Sequence, residues 1–374
     1  MRIFVDAHVL DDSHQGTRTY IRGLYRELIT IMPNTSFFLG TYNYQTLLNE
    51  IGEHPNVHFV QLKQKKILRL LWEIPLIIKK YKIDYAHFQY ISSPVKNCKH
   101  IVTIHDILFK DFKEYFPLKY RIVNNLLFFI SAKRADLLFT VSEYSQRRIA
   151  KHYRIPIERI EITPNGISEE FLELPKVINS SVIQEKYKLE KFILYVSRVE
   201  PRKNHLLLLR TFNELKLWEK DYKLVCVGKK DFSYNDIDDY LAQCPESCRK
   251  NILFLQNINN TELLEFYRRA TLFIYPSLAE GFGIPPIEAI SVGTPTLCSH
   301  ATAMSDFSFL GDDLFNPHDG NELKGKIIQK LSGQIDINRI LALKQLVTER
   351  YSWKKAAKTF HHAIQNQPIP VKHI

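Results

Sequence analysis

The segment Glu280-Gly281-Phe282-Gly283-Ile284-Pro285-Pro286-Ile287-Glu288 places two carboxylates around a glycine-rich bend. The apolar run Leu272–Tyr275 precedes it and reads as a strand. The paired prolines stand where a helix would begin, because proline's fixed φ and missing N–H suit a first helical turn. Gly281 and Gly283 permit close backbone approach and unusual φ angles. Free amides at a helix N-terminus favour anions and hydroxyls. Glu280 is expected at the mouth of this loop. Glu288 falls near the end of the first helical turn, where a carboxylate can accept both hydroxyls of a ribose. A tight strand–helix turn with an acidic helix start is the simpler structural alternative.

A second cluster, Ser197-Arg198-Val199-Glu200-Pro201-Arg202-Lys203-Asn204, follows the apolar run Phe192–Val196 and precedes helical periodicity at His205–Leu217. Three cations at a strand end beside a helix start suit a diphosphate: arginine offers a bidentate fork and lysine a point charge. A solvated basic turn is the plain alternative. His105 and Asp106 end the run Ile101–His105, where the imidazole is in position to donate to a sugar hydroxyl. In His14-Gln15-Gly16-Thr17, Gly16 opens a helix after the first strand. This is half of a phosphate loop and lacks the full dinucleotide pattern.

These residues need strand ends to hold them. Short β-rich runs alternate with longer amphipathic stretches along the chain, which predicts parallel sheets covered on both faces. The alternation pauses at 164–190, a polar stretch read as a linker. The expected architecture is α/β, two doubly wound Rossmann-like domains facing a central cleft. Residues 1–170, joined by a C-terminal helix within 351–374, make the acceptor side, and 171–350 bind the nucleotide. Ligands of such sheets lie outside the carboxyl ends of the strands. With 374 residues and 45% apolar content, the chain is large enough for two cores.

The five cysteines are odd in number and form no disulfide framework, as in a reduced cytoplasmic protein. No stretch approaches the length of a membrane span. Formal net charge is +11, with more than half of the excess before residue 171, which suits anionic partners. Segments 61–82 and 118–134 set apolar centres between basic ends and suit an anionic membrane surface; helices covering the sheet would show the same pattern. Nucleic acid is not expected, since neither an aromatic-studded basic groove nor a reading helix is evident. Asp236-Ile237-Asp238 spells a metal-binding D-x-D but lies in a polar helical stretch, and reads as a solvated helix face.

The strings G-T-R-T-Y, T-I-H-D, T-P-N-G-I, Y-V-S-R-V-E-P-R-K-N, E-G-F-G-I-P-P-I-E-A and V-G-T-P-T, in this order over nearly the whole chain, resemble the retaining glycosyltransferases of family 4, which have the GT-B fold. The resemblance implies that Arg198 and Lys203 hold the donor diphosphate. It places Glu280 on the donor sugar, with Gly281, Phe282 and Gly283 beside it, and Glu288 on the ribose. His105 would contact the transferred sugar, and Gly16 would lie in the loop facing the diphosphate. Many members carry a Gly-Gly pair there, and this chain has Gln15-Gly16. The family works without a metal, so no cofactor is expected. The implied activity is transfer of a hexose from a nucleotide-sugar to a glycan or lipid-linked acceptor in cell-surface polysaccharide synthesis. The Pro-Pro form of the acidic loop resembles bacterial mannosyltransferases and points to GDP-mannose. A UDP- or dTDP-sugar donor, a sugar-nucleotide epimerase and a noncatalytic sugar-nucleotide-binding subunit are the alternatives. The expected location is cytoplasmic, on the inner face of the plasma membrane.

Overall fold

The computed structural model describes residues 1–11, 16–172, 182–230, 235–334 and 336–367. The chain forms two compact units, one of Met1–Gly166 with Tyr351–Ile374 and one of Ile167–Arg350.

Unit 1 is built on a seven-stranded parallel sheet of order β3-β2-β1-β4-β5-β6-β7. The strands are β1 (Arg2–Asp6), β2 (Ser36–Thr41), β3 (Val57–Gln61), β4 (Tyr85–Gln89), β5 (Lys99–Thr103), β6 (Leu137–Thr140) and β7 (Ile160–Ile162). The inner strands are buried on both faces, which is why they read as apolar runs without alternation. The helices α1 (Gly16–Ile31), α2 (Tyr44–Glu50), α3 (Ile74–Tyr81), α4 (Leu118–Arg134) and α5 (Glu143–Tyr153) accompany them. Ahead of α3 the chain passes through a short helical turn, Lys66–Leu68, and a π-turn, Arg69–Glu73. Ser142 caps α5, its hydroxyl accepting from the Ser145 amide at 3.1 Å. The C-terminal helix, Trp353–Gln365, returns to unit 1 and packs along α1. Its Trp353 ring lies so close to Gly23 that an added Cβ would stand 2.1 Å from a ring carbon, so the contact requires glycine.

Unit 2 has a six-stranded parallel sheet of order β10-β9-β8-β11-β12-β13. Its strands are β8 (Lys191–Val196), β9 (Tyr222–Val227), β10 (Ile252–Leu255), β11 (Leu272–Tyr275), β12 (Thr296–Ser299) and β13 (Leu314–Phe315). Its main helices are α6 (His205–Glu214), α7 (Asn235–Gln243), α8 (Asn260–Arg269), α9 (Ile284–Ser291), α10 (Gly320–Ser332) and α11 (Ile337–Arg350). Each unit is thus doubly wound, and in unit 2 the strand order reverses between β8 and β11.

The strand expected at Ile101–His105 runs from Lys99 to Thr103, so His105 lies two residues beyond its end. The run 66–81, within the segment 61–82, is helical and covers the sheet. Within the expected linker, Glu169–Leu172 is helical and Val182–Lys186 forms a π-turn, while 173–181 lie outside the described residues.

Candidate active site

β8 and β11 are neighbours, with Leu272 opposite Ile193 and Phe273 opposite Leu194. Loops about eighty residues apart in sequence therefore leave the sheet side by side, at the point where its order reverses. A parallel sheet opens a crevice there. The cationic segment and the acidic loop are these two loops.

After β8 the chain passes beside Gly228, whose φ is 152°. A Cβ there would stand 1.9 Å from the Ser197 carbonyl oxygen, so glycine lets the ends of β8 and β9 approach each other beside Arg198. Pro201–Lys203 then forms a 3-10 turn, and Asn204 takes a left-handed conformation at φ 57° before α6. Backbone bonds tie this turn to the acidic loop: the Leu278 amide donates to the Arg202 carbonyl at 2.8 Å. The Asn204 amide nitrogen donates to Pro276 O at 3.2 Å and to Pro317 O at 2.9 Å.

Glu280 lies at the centre of this arrangement. Its Oε1 accepts from Lys203 Nζ in a short ion pair, from Tyr275 OH at 2.8 Å and from Ser277 Oγ at 2.8 Å. Its Oε2 accepts from Arg202 Nη1 at 3.3 Å. The Glu280 amide donates to Thr302 Oγ1 at 2.8 Å. Arg202 also donates to Ala279 O at 2.8 Å and to Glu200 Oε1 at 2.9 Å. Lys203 and Glu280 are both buried. Burial alone raises the Glu280 pKa, but the charges of Lys203 and Arg202, with the hydrogen bonds, overcome it and hold the carboxyl at about 2. Burial lowers the Lys203 pKa despite the attraction of Glu280, and Arg202 adds to the lowering. The oxygens of Glu280, the residue expected at the loop's mouth, are thus engaged by Lys203, Arg202, Tyr275 and Ser277.

Gly283 caps α9 with φ 100°, a conformation L side chains rarely adopt, and Pro285 and Pro286 fall in the first turn. Gly281 and Phe282 are buried in the same bend. Glu288, further along α9, is half-buried and accepts from Tyr267 OH at 2.8 Å. Arg202, Tyr275, Ser277 and Thr302 complete the cluster. Of these only Arg202 was legible as a candidate, because the other three become partners only through the pairing of strands.

His105 and Gly16 belong to unit 1. His105 is buried, and its ring meets Tyr20 edge-on at 5.0 Å and Tyr90 at 5.2 Å. Its Nε2 lies 2.6 Å from Gln89 Oε1, so that nitrogen already has a protein partner. Burial lowers its pKa to about 3 and leaves the imidazole neutral. Gly16 is the first residue of α1, and a Cβ there would meet nothing within 4 Å. His14 and Gln15 lie outside the described residues.

Asp238, on α7, is exposed and pairs with Lys230 at 2.7 Å. Among the described residues no group of three His, Cys, Asp or Glu side chains is placed to hold a metal ion. Among them, too, no helix is long and apolar enough to cross a membrane. Cys226, Cys244, Cys248 and Cys298 are buried free thiols, and Cys98 is a half-buried one.

Two sequence families match in tandem. "Glycosyltransferase Family 4" covers residues 16–171 and "Glycosyl transferases group 1" covers 178–341. The chain is 28% identical over 312 residues to O-antigen chain mannosyltransferase B of Escherichia coli, covering 77% of this chain and 80% of that one. It is 28% identical over 240 residues to the serotype-specific mannosyltransferase WbdA of Escherichia coli, covering 62% of this chain. That match spans only 29% of the WbdA length. The fold is shared with sucrose-phosphate synthase of Thermosynechococcus elongatus, at a TM-score of 0.76 and 18% identity over 97% of this chain and 98% of that one.

Proposed function

Because the chain belongs to the glycosyltransferases, with a family 4 domain followed by a group 1 domain, we propose that it transfers mannose from GDP-mannose, with retention at the anomeric carbon, to a glycan or lipid-linked acceptor of a surface polysaccharide. The observation that carries this reading is the cluster of Arg202, Lys203 and Glu280 where the unit 2 sheet reverses its order. Breaking a bond to a nucleoside diphosphate builds negative charge on the β-phosphate. Fixed cations in a low-dielectric site stabilise that charge without reorganising. An ammonium has three N–H donors. Glu280 takes one from Lys203 and orients the group, and the others serve the diphosphate together with Arg198 and the amides of Gly281, Phe282 and Gly283. Glu280, ion-paired and hydrogen-bonded at both oxygens, is a poor nucleophile, which favours departure and attack on one face of the sugar over a covalent intermediate on this carboxylate. Glu288 would receive the ribose hydroxyls, and His105 the transferred sugar. The names of the relatives favour mannose and synthesis of O-antigen type. Work on the cytoplasmic side of a membrane is part of the same proposal.

The test is transfer from GDP-mannose to membranes carrying the lipid-linked glycan, with the anomer of the product read by NMR. An α-mannosyl product formed equally well in EDTA is expected. Inversion would end the retaining assignment. Loss of activity in EDTA, restored by a divalent cation, would end the metal-free one. Transfer from UDP- or dTDP-sugars alone would move the donor assignment, and binding with no transfer from any donor would leave a noncatalytic subunit.

A further inference from the structure

Two helical runs of unit 1 lie on one face of its sheet. The run 66–81 packs Leu70, Ile74, Ile77 and Ile78 over Phe4, Phe38 and Phe88. Helix α4 packs Phe128 and Ala132 over Val102 and Leu138. Phe88 and Val102 are paired across β4 and β5, so both runs cover the same side. Ile91 packs against both clusters. The loop after β4 joins them by hydrogen bonds, from Ser93 Oγ to Leu70 O at 2.7 Å and from the Ser92 amide to Ser131 Oγ at 3.0 Å.

Their outward faces are apolar as well. Ile67, Trp72, Leu76, Leu118, Ile122 and Leu126 are each more than half exposed. A helix covering a sheet ordinarily presents a polar face to water, and exposed apolar side chains on two runs of one sheet face mark an interaction site. Its margin is basic. Every charged residue of α4 is a cation, with Lys119 and Arg121 at one end and Lys133 and Arg134 at the other. Exposed Lys63, Lys65, Lys66, Lys79, Lys80 and Lys82 flank the other run, where Glu73 is the one acid between 61 and 82. A second copy of the chain on a twofold axis would set this basic margin against itself. An anionic bilayer satisfies both features: apolar side chains and Trp72 enter the interface while long cationic stems reach the headgroups.

We propose that the joint outer face of run 66–81 and α4 docks unit 1 onto an anionic lipid surface. This deepens the reading of a lipid-linked acceptor, and its test does not depend on transfer. Sedimentation of the full chain with vesicles of phosphatidylglycerol and phosphatidylethanolamine, against vesicles of phosphatidylcholine, reads the docking. Binding to the anionic vesicles alone is expected. The double substitution Ile122→Glu with Leu126→Glu, at exposed positions, is expected to lower partitioning by about tenfold or more. A thermal shift by GDP equal to that of the unsubstituted chain separates loss of docking from loss of fold or donor site. Equal binding to phosphatidylcholine, or undiminished binding of the double variant, would overturn the proposal. A dimer in solution that the double variant splits would assign the face to a second copy instead.

A separate observation concerns the interior of unit 1. Gln89 Oε1 lies 2.6 Å from His105 Nε2, and Gln89 Nε2 lies 3.1 Å from His87 Nε2. A glutamine amide has one accepting and one donating end, so His105 donates through Nε2 and His87 accepts at Nε2. The His87 proton then sits on Nδ1, 2.7 Å from Tyr25 OH. Thr103 Oγ1, at 2.8 Å, supplies a second donor to His87 Nε2. We infer that Gln89 is a positioning residue that holds His105 in the Nε2–H tautomer. Its importance for transfer rests on the reading of His105 as a sugar contact, but the tautomer is measured without substrate, by 15N NMR of histidine-labelled protein. A protonated Nε2 and bare Nδ1 are expected for His105, a mixture of tautomers in Gln89→Leu, and recovery in Gln89→Glu, which keeps the acceptor. An Nδ1–H tautomer in the unsubstituted chain, or no change in Gln89→Leu, would overturn the inference. If Gln89→Leu does not fold, the unsubstituted spectrum still decides.

Discussion

The strand ends that carry Glu280 and His105 solve the problem of burial in opposite ways. At the Glu280 cluster the groups stay charged. A carboxylate held at about 2 is locked between two cations, each ion compensating the desolvation of the other. Around His105 the groups are neutral. His87 and His105 are pushed to about 3 by burial, and the amide of Gln89 joins them. The charged cluster suits a ligand that is itself an anion. The neutral one suits a ligand that offers hydroxyls.

The largest effect that would break this contrast is on stability. Glu280→Ala leaves the buried Lys203 without its counter-ion, while the half-buried Arg202 keeps Glu200. It is expected to destabilise unit 2 by about 3–5 kcal/mol in a denaturant titration. A cost below about 1 kcal/mol would mean that solvent already screens the cluster, and the contrast would fail.

Acid sharpens the comparison, because the two clusters lose stability in different windows. A histidine whose folded pKa is depressed contributes stability above its unfolded value near 6.5. That stability falls away as pH drops from there toward the folded value. His87, His100 and His105 in unit 1 are depressed to about 3, 4 and 3. Unit 2 has His205, at about 3. Glu280 is also depressed, but from a carboxylate value, so its contribution persists until pH falls below about 4.5 and is lost toward 2. Between pH 6.5 and 5, unit 1 is expected to weaken by up to about 1 kcal/mol per pH unit for each shifted histidine. Hydrogen exchange along β4 and β5, compared with β8 and β11, reads the difference. Equal slopes in the two units would contradict it.

The smallest expected effect isolates burial as the cause. Glu288 is also an acid of the acidic loop, but it is half-buried and accepts from the neutral Tyr267 hydroxyl. Tyr267→Phe should cost about 1 kcal/mol, the worth of one hydrogen bond, because water can reach the freed carboxylate. A cost matching that of Glu280→Ala would show that position in the loop, and not burial with charge, sets the energetics.

Much of this was legible in the chain itself. Polar and basic loops after apolar runs marked the two segments that bring Lys203 and Glu280 together, since parallel strands present their carboxyl ends to ligands. The detail that Glu280 grips Lys203 was not legible, because β8 and β11 become neighbours only through the sheet order. For the same reason Tyr275 and Ser277 looked like the end of a strand and a turn. The run 66–81 shows no clean helical period in the sequence, because it is apolar on both its inner and outer sides. Helix α11 is obscure for the converse reason: most of it is exposed, and Val347 is its one buried residue. Strand β13 has two residues, too few to show any pattern.

The central claim is that Lys203, fixed by Glu280, receives the diphosphate of an activated sugar. Thermal unfolding of the chain and of Lys203→Ala, each with GDP, UDP and dTDP, tests it most directly. One nucleoside diphosphate should raise the midpoint of the unsubstituted chain, GDP by the present reading, and the rise should vanish in Lys203→Ala. An unsubstituted chain indifferent to all three, or a Lys203→Ala variant stabilised as strongly as its parent, would contradict the account.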